Sequence, residues 1–234
     1  MINKSKVTAT GIFIIMLIIG QALASEVAKE NKKDPVATAQ EMISKGNLVE
    51  AEKILQDFVS KMPSDWKPLQ ETETNIVGYF WDQDEFMGYV KYYEKSLKKS
   101  VRWIGPSYSK AFFRLAFISV ERKDFQSALA FIDKALTLEP DNPGLLCEKA
   151  FILSRMGQYQ EAYQIYLKAT KARPWISDLQ KAATLRGTGN VLIDLKKLDE
   201  AEEMLNKSLE LEPGNKNAQN ELGYIDHLRK GKTT

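Results

Sequence analysis

Four nine-residue stretches carry the fold: NLVEAEKIL (47–55), DFQSALAFI (124–132), QYQEAYQIY (158–166) and KLDEAEEML (197–205). Each has an Ala at its centre: Ala51, Ala128, Ala162 and Ala201. Three residues before it stands a large apolar side chain (Leu48, Phe125, Tyr159, Leu198), and four residues after it another (Leu55, Ile132, Tyr166, Leu205). A Pro follows twelve residues later (Pro63, Pro140, Pro174, Pro213) and a small residue precedes by twelve (Ala39, Ala116, Ala150, Gly189). The same four offsets recurring in four places define an internal repeat.

Apolar residues at i, i+3 and i+7 predict an amphipathic helix in each stretch. A short break precedes each one: Gly46-Asn47, Lys123-Asp124, Gly157-Gln158 and Lys196-Lys197. Before the break runs a second amphipathic pattern, as in AFFRLAFISV (111–120). The paired small residues let two antiparallel backbones approach closely. The Pro, lacking an N–H, closes the unit. No such helix pair can bury its apolar face alone, so neighbouring pairs must stack.

These offsets resemble the tetratricopeptide repeat, a helix–turn–helix unit of about 34 residues. The resemblance covers Asp34–Pro213, with ELGYIDHL (221–228) as a partial sixth unit behind it. It implies an all-α fold: a right-handed α-solenoid of about five helix hairpins plus a C-terminal capping helix. Units are expected at 34–63, 68–101, 107–140, 143–174 and 178–213, with the cap at 215–230. The second unit is the irregular one. EFMGYVKYY (85–93) places Phe86, Tyr89 and Tyr93 where large, small and large residues are wanted, and Val101 where Pro is expected. Its helix pair should be splayed unless Gly78 or Gly88 compensates. The wide spacing of the anchors predicts longer helices or loops near Trp66–Pro68, Ser100–Ser107 and Trp175–Leu179.

The same resemblance implies that first helices line a concave wall, at places fifteen, eleven and eight residues before each anchor. Those places hold Val36, Gln40 and Ile43, then Thr74, Gly78 and Trp81, then Phe113, Phe117 and Val120. Cys147, Phe151 and Ser154 follow, then Arg186, Asn190 and Ile193, and in the cap Asn220, Tyr224 and His227. The expected partner-binding groove is therefore Trp81, Phe113, Phe117 and Phe151 as an aromatic strip, with Arg155, Arg186, Asn190 and Tyr224 beyond it. Aromatic rings in a concave surface with a few polar anchors are how binding hot spots are built. The competing reading is that these rings pack helix against helix. Arg186 and Asn190 match half of the Lys/Asn/Arg carboxylate clamp some members of the family carry. Phe113, Phe117, Cys147 and Phe151 occupy the other places, so the clamp is incomplete.

Composition narrows the function further. At 44% hydrophobic and 27% charged the chain is an ordinary folded protein, neither disordered nor built of membrane spans. From Ser25 onward it carries 31 basic and 31 acidic residues, without the basic excess that nucleic-acid binding requires. One Cys and one His leave no multi-Cys metal site and little room for a His-based one. Paired carboxylates at a catalytic spacing are absent from the sequence. Gly187-Thr188-Gly189-Asn190 lies in a helical pattern without a strand before it, and is no phosphate loop. The expectation is a non-catalytic module without cofactor or metal.

Met1–Ala24 reads as an export signal. It has a basic start (Lys4, Lys6), an apolar run Gly11–Gly20, and Ala22-Leu23-Ala24 as a cleavage site before Ser25. The apolar run covers only about 15 Å of a roughly 30 Å hydrocarbon core, which favours cleavage over an uncleaved anchor. Residues 25–33 then form a linker to the solenoid over 34–230. The expected setting is the periplasm or the exterior, or the inner membrane if the segment is retained. The expected partner is a peptide or helix of another protein, with no nucleic acid, and with membrane contact only through a retained N-terminus. A homodimer through the aromatic-rich Tyr79–Trp103 is the self-associating alternative. Lys91, Lys95, Lys98 and Arg102 form a basic stripe at helical spacing that is read as a solvated face.

Overall fold

The computed structural model describes residues 34–93 and 99–231; the export segment, the linker and the middle of the basic stripe lie outside them. The chain opens with α1 (Pro35–Ser44) and α2 (Leu48–Ser60). Then come β1 (Leu69–Glu71), β2 (Asn75–Gly78), α3 (Gln83–Tyr93) and β3 (Ser100–Trp103). The remainder is helical: α4 (Tyr108–Glu121), α5 (Phe125–Leu138), α6 (Pro143–Arg155), α7 (Tyr159–Thr170), α8 (Asp178–Asp194), α9 (Leu198–Leu211) and α10 (Lys216–Lys230). It is an all-α solenoid of tetratricopeptide type with a small sheet inserted.

The local chemistry accounts for each hairpin. Asp34, Asn47, Ser107, Asp124, Asn142, Ser177 and Asn215 accept hydrogen bonds from the first free N–H groups of their helices. The four predicted breaks are tight turns, each with one residue at positive φ: Gly46 (76°), Lys123 (61°), Gly157 (78°) and Lys196 (60°). The small pairs sit where the two helices touch. Ala39/Ala51, Ala116/Ala128 and Ala150/Ala162 are fully buried, and Gly189 packs against Ala201 and Leu205. Gly187–Asn190 lies inside α8, as expected for a packing glycine rather than a phosphate loop.

Stacking follows chain order. α2 packs on α4, α5 on α6, α7 on α8 and α9 on α10. First helices also touch one another (α1 with α4, α6 with α8, α8 with α10), and no pair of second helices comes as close among the described residues. The tighter side of a curved stack is its inner side, which assigns the first helices to the inner wall, although α4 and α6 do not touch to the same extent. The cap α10 buries Ala218 and Ile225 against the last hairpin.

The second unit departs from expectation. Over 68–101 there is one helix and a three-stranded sheet of order β1-β2-β3 rather than a helix pair. β1 and β2 are antiparallel with Gln70 opposite Val77; β2 and β3 are parallel with Val77 opposite Arg102. The reason is local. Thr72, Thr74, Ile76 and Val77 are β-branched and stiff at χ1, and Gly78 weakens any helix through them. Thr72 closes the β1–β2 turn, its N–H donating to the Asn75 carbonyl (2.8 Å) and its hydroxyl accepting from Asn75 N–H (3.0 Å). Because α2 packs directly on α4, this segment is an insert outside the stack, and the solenoid has four hairpins and a cap. Val77 and Gly78 lie on β2, so the expected splay of a helix pair does not arise. Arg102 lies on β3 and is not on the helix that carries Lys91.

Candidate functional site

The insert docks along the loops that join neighbouring hairpins. Tyr89 is buried against Phe80, Tyr93 and Trp175, with ring centroids 5.4, 4.6 and 5.4 Å apart. The α-carbon of Gly88 lies so close to the Trp175 carbonyl oxygen that no side chain fits between them. Trp81, between β2 and α3, is half-buried and lies 5.1 Å from Phe113 of α4. Its indole N–H donates to Ser109 Oγ (3.2 Å) and Glu139 Oε1 (3.1 Å). Its carbonyl accepts from Lys110 Nζ, and its backbone N–H donates to Glu85 Oε2 (2.6 Å).

Beneath this contact lies a buried charge network. Arg173, on the α7–α8 loop, pairs with Glu85 of α3 (2.6 Å), Glu139 of the α5–α6 loop (2.7 Å) and Asp141 (3.0 Å). Glu139 is only 2% exposed and also accepts from Ser109 Oγ and Asn142 Nδ2 (3.0 Å). Burial, then the charge of Glu139, push the Glu85 carboxyl up to about 7 against the opposing pull of Arg173. The flanking carboxylates raise Arg173 despite its burial. One guanidinium therefore ties two loops and the insert together.

On the inner wall, Phe113 packs against the buried cluster of α1, α2, α4, α5 and α6. Phe117 is half-buried and Phe151 is 41% exposed. Neither ring is packed against any of the buried clusters among the described residues. Arg155 and Asn190 are exposed, and Tyr224 is 49% exposed at the far end of the stack. Arg186 is engaged: its Nη1 pairs with Glu212 Oε2 at 2.8 Å and reaches Ser208 Oγ at 3.5 Å. Of the predicted aromatic strip the structure brings Trp81 and Phe113 into ring contact; Trp81 comes from the insert and not from a first helix. Cys147 is half-buried, its Sγ 3.1 Å from Thr184 Oγ1, and burial pushes its thiol up to about 11, an inert small side chain.

Sequence reasoning missed Lys110, Arg114 and Trp103. These residues line a cleft of about 230 Å³ between α1, α4 and the insert, together with Gln40, Phe80 and Trp81. The available signal was KAFFR (110–114), two cations four residues apart flanking the predicted aromatic wall. The Glu85–Glu139–Arg173 network carried no sequence signal, because its members lie far apart in the chain. Among the described residues no group of three or more His, Cys, Asp or Glu is placed to hold a metal, and no helix is long and apolar enough to cross a membrane.

Comparison with known proteins places two models of the tetratricopeptide repeat on the chain, over residues 109–142 and 142–212. No curated protein sequence matches. Among solved structures, PilF of Pseudomonas aeruginosa superposes with a TM-score of 0.59 at 17% identity, over 84% of this chain and 68% of its own. A tetratricopeptide repeat protein from Parabacteroides merdae gives 0.56 at 17%, over 87% of this chain and 61% of its own. A MamA RS-1 double mutant gives 0.54 at 16%, over 82% and 81%. At these identities the likeness is one of fold.

Proposed function

Residues 109–212 of this chain belong to the tetratricopeptide-repeat family, and on that footing we propose that the protein is a non-catalytic interaction module holding an extended segment of another protein along its first-helix wall. The observation that carries this reading is the pair Phe117 and Phe151. Both are large rings on first helices that the buried clusters leave unused; Phe117 is half-buried and Phe151 is 41% exposed. Burying such a ring contributes about 1.5–3 kcal/mol, so these two supply up to about 6 kcal/mol before ordering costs, and micromolar affinity also requires the polar contacts along the wall. Asn190, Arg155 and Tyr224 offer polar contacts farther along the wall. Arg186 holds its neighbouring loop through Glu212, which supports a positioning role for it and argues against a free carboxylate clamp.

The proposed setting is the cell envelope, resting on the export pattern of Met1–Ala24. The mass of the mature N-terminus separates cleavage after Ala24 from a retained anchor. A photo-reactive residue at position 151, introduced in cells, should capture a discrete partner, and Phe117→Ala should reduce that capture severalfold at unchanged melting temperature. Absence of any captured protein, or capture indifferent to Phe117→Ala, would refute the groove. A second reading, self-association, is favoured by the exposed Leu69, Met87, Tyr92 and Trp103 of the insert. Light scattering of the purified chain decides it.

A further inference from the structure

The sheet of the insert ends on β1, and the outer edge of that strand is open. Two backbone bonds fix which way it points: Tyr79 N–H donates to the Pro68 carbonyl (2.9 Å) and Thr72 N–H to the Asn75 carbonyl (2.8 Å). With Gln70 opposite Val77, antiparallel alternation turns Gln70 toward β2 and turns the N–H and C=O groups of Leu69 and Glu71 away from it. Those outward groups bond to nothing among the described residues, and Leu69, Gln70 and Glu71 are all exposed. An open edge is a template for another extended chain, and within β1 no Pro, Lys or bulge guards it.

Leu69 also lines a cavity of about 150 Å³ between the insert and the α5–α6 loop, together with Phe80, Tyr89, Trp175 and Leu138. A cavity of roughly that volume accepts one benzene ring. Phe80 and Tyr89 are buried in the insert's own cluster, so these walls stand before anything binds. The charged groups that line the cavity are committed to one another, with one exception. Glu85 accepts from Trp81 N–H and Arg173, one at each oxygen. Glu139 accepts at both oxygens, from Trp81, Ser109, Asn142 and Arg173. Asp141 takes Arg173 at Oδ1 alone, and its Oδ2 has no partner among the described residues. The cavity therefore offers aromatic walls and one free acceptor, and its complement is a ring with an O–H at the tip.

We propose that β1 and this cavity together form a docking site for an extended, tyrosine-bearing segment of another protein. The segment adds a fourth strand to the sheet at Leu69 and Glu71. Its tyrosine ring enters the cavity and the hydroxyl donates to Asp141 Oδ2. Main-chain bonds supply the affinity and the cavity supplies the specificity, and Leu69 joins the two because it belongs to both. Tyrosine suits both parts: aromatic residues favour strands, and a buried Tyr hydroxyl needs a partner. The site is built on the insert, which the repeats do not supply, and it does not rest on the groove reading above.

The test uses the full chain and the peptide acetyl-GTVYVTG-amide, with Phe or Ala in place of Tyr as comparisons. Binding is followed by titration calorimetry and by backbone amide exchange of the chain. The Tyr peptide should bind about tenfold more tightly than the Ala peptide, as burial of a ring gives, and about threefold more tightly than the Phe peptide, as one hydrogen bond gives. It should slow exchange at Leu69 and Glu71. Glu71→Pro removes one outward N–H and leaves the ladder to β2 intact, so it should weaken binding severalfold at unchanged melting temperature. Glu71→Ala loses only the exposed pair with Lys99 and should bind as the unaltered chain does. Asp141→Ala should erase the preference for Tyr over Phe. Should Glu71→Pro fail to fold, a Tyr peptide N-methylated at alternate residues reads the same bonds and should bind severalfold more weakly. No binding, equal binding of the Tyr and Ala peptides, or indifference to both Glu71→Pro and N-methylation overturns the site. A Tyr preference that survives Asp141→Ala overturns the assignment of the hydroxyl. A dimer of the free chain that Glu71→Pro dissolves, seen by light scattering, also overturns the site, since the edge then takes a second copy. None of these outcomes touches the groove, which stands or falls by cross-linking from position 151.

Discussion

Single residues set how closely the backbones pack and how the turns close. Gly189 and Ala201 face each other across the last hairpin, and a Cβ added at Gly189 would lie 2.8 Å from Leu205 Cγ and 3.3 Å from the Ala201 carbonyl oxygen. Gly189→Ala should therefore destabilise the fold by about 1–3 kcal/mol. In a chain of this size that lowers the melting temperature by several degrees, measurable by circular dichroism. Lys196 sits in the left-handed region with φ 60°, where a Cβ costs roughly 1–2 kcal/mol, and its equivalents Gly46 and Gly157 avoid that cost. Lys196→Gly should raise the melting temperature by a degree or more, with part of the relief offset by glycine's greater freedom in the unfolded chain. At Glu85 two effects compete. Desolvation and the Glu139 charge outweigh the attraction of Arg173 and leave the carboxyl near 7. The docked state then holds a proton more tightly than the undocked one, so docking is firmest at low pH. It weakens as pH rises from the ordinary carboxylate value toward about 7, by on the order of 1 kcal/mol per pH unit. Glu85→Gln should flatten that profile, read as amide exchange of α3 between pH 5 and 8.

At the scale of elements, the helix pairs follow from their own sequence and the insert does not. A period of 3.6, a capping residue and a closing Pro recur in the hairpins. The insert breaks this pattern, and β-branched residues take over from Thr72 to Val77. Phe86, Tyr89 and Tyr93 do fall on one face of α3 as the repeat pattern places them, but the helix has no first-helix partner. It packs on the strands and on Trp175 instead. A helical pattern on one segment therefore does not imply the hairpin. Arg173 is the charged tie that holds the insert, and removing it leaves Glu139 buried without its countercharge and Glu85 protonated. Arg173→Ala should cost about 3–5 kcal/mol at that contact. Because the hairpins stack without the insert, hydrogen exchange should rise in β2 and α3 while α4 to α9 stay protected. Loss of protection throughout would show that the insert is integral to the stack.

Over the whole molecule, four hairpins and a cap make an arc whose inner wall is built of first helices, and the insert covers one margin of that wall. Trp81 reaches the groove from outside the repeats and sits on Phe113, which narrows the free aromatic surface to Phe117 and Phe151. Phe117→Ala and Phe151→Ala should accordingly leave the melting temperature within about a degree, since neither ring packs on the core. Phe113→Ala should lower it by several degrees, as expected for removing about 3–5 kcal/mol from a ring that does. A large drop for Phe117→Ala would return that ring to the core and empty the wall of its function.

The helix pairs, their turns, their close contacts and the end cap are all legible in the amino-acid order, because each depends on residues within some twenty positions of one another. Ala51, Ala128, Ala162 and Ala201 announce these contacts through spacing alone. Folding in three dimensions was needed to put the second unit outside the stack, Trp81 on Phe113, Arg186 on Glu212, and Lys110 and Arg114 across a cleft from Gln40. Those outcomes join residues separated by tens of positions, through charges and rings with no periodic signature. Their pairing is fixed by where the rigid hairpins leave room.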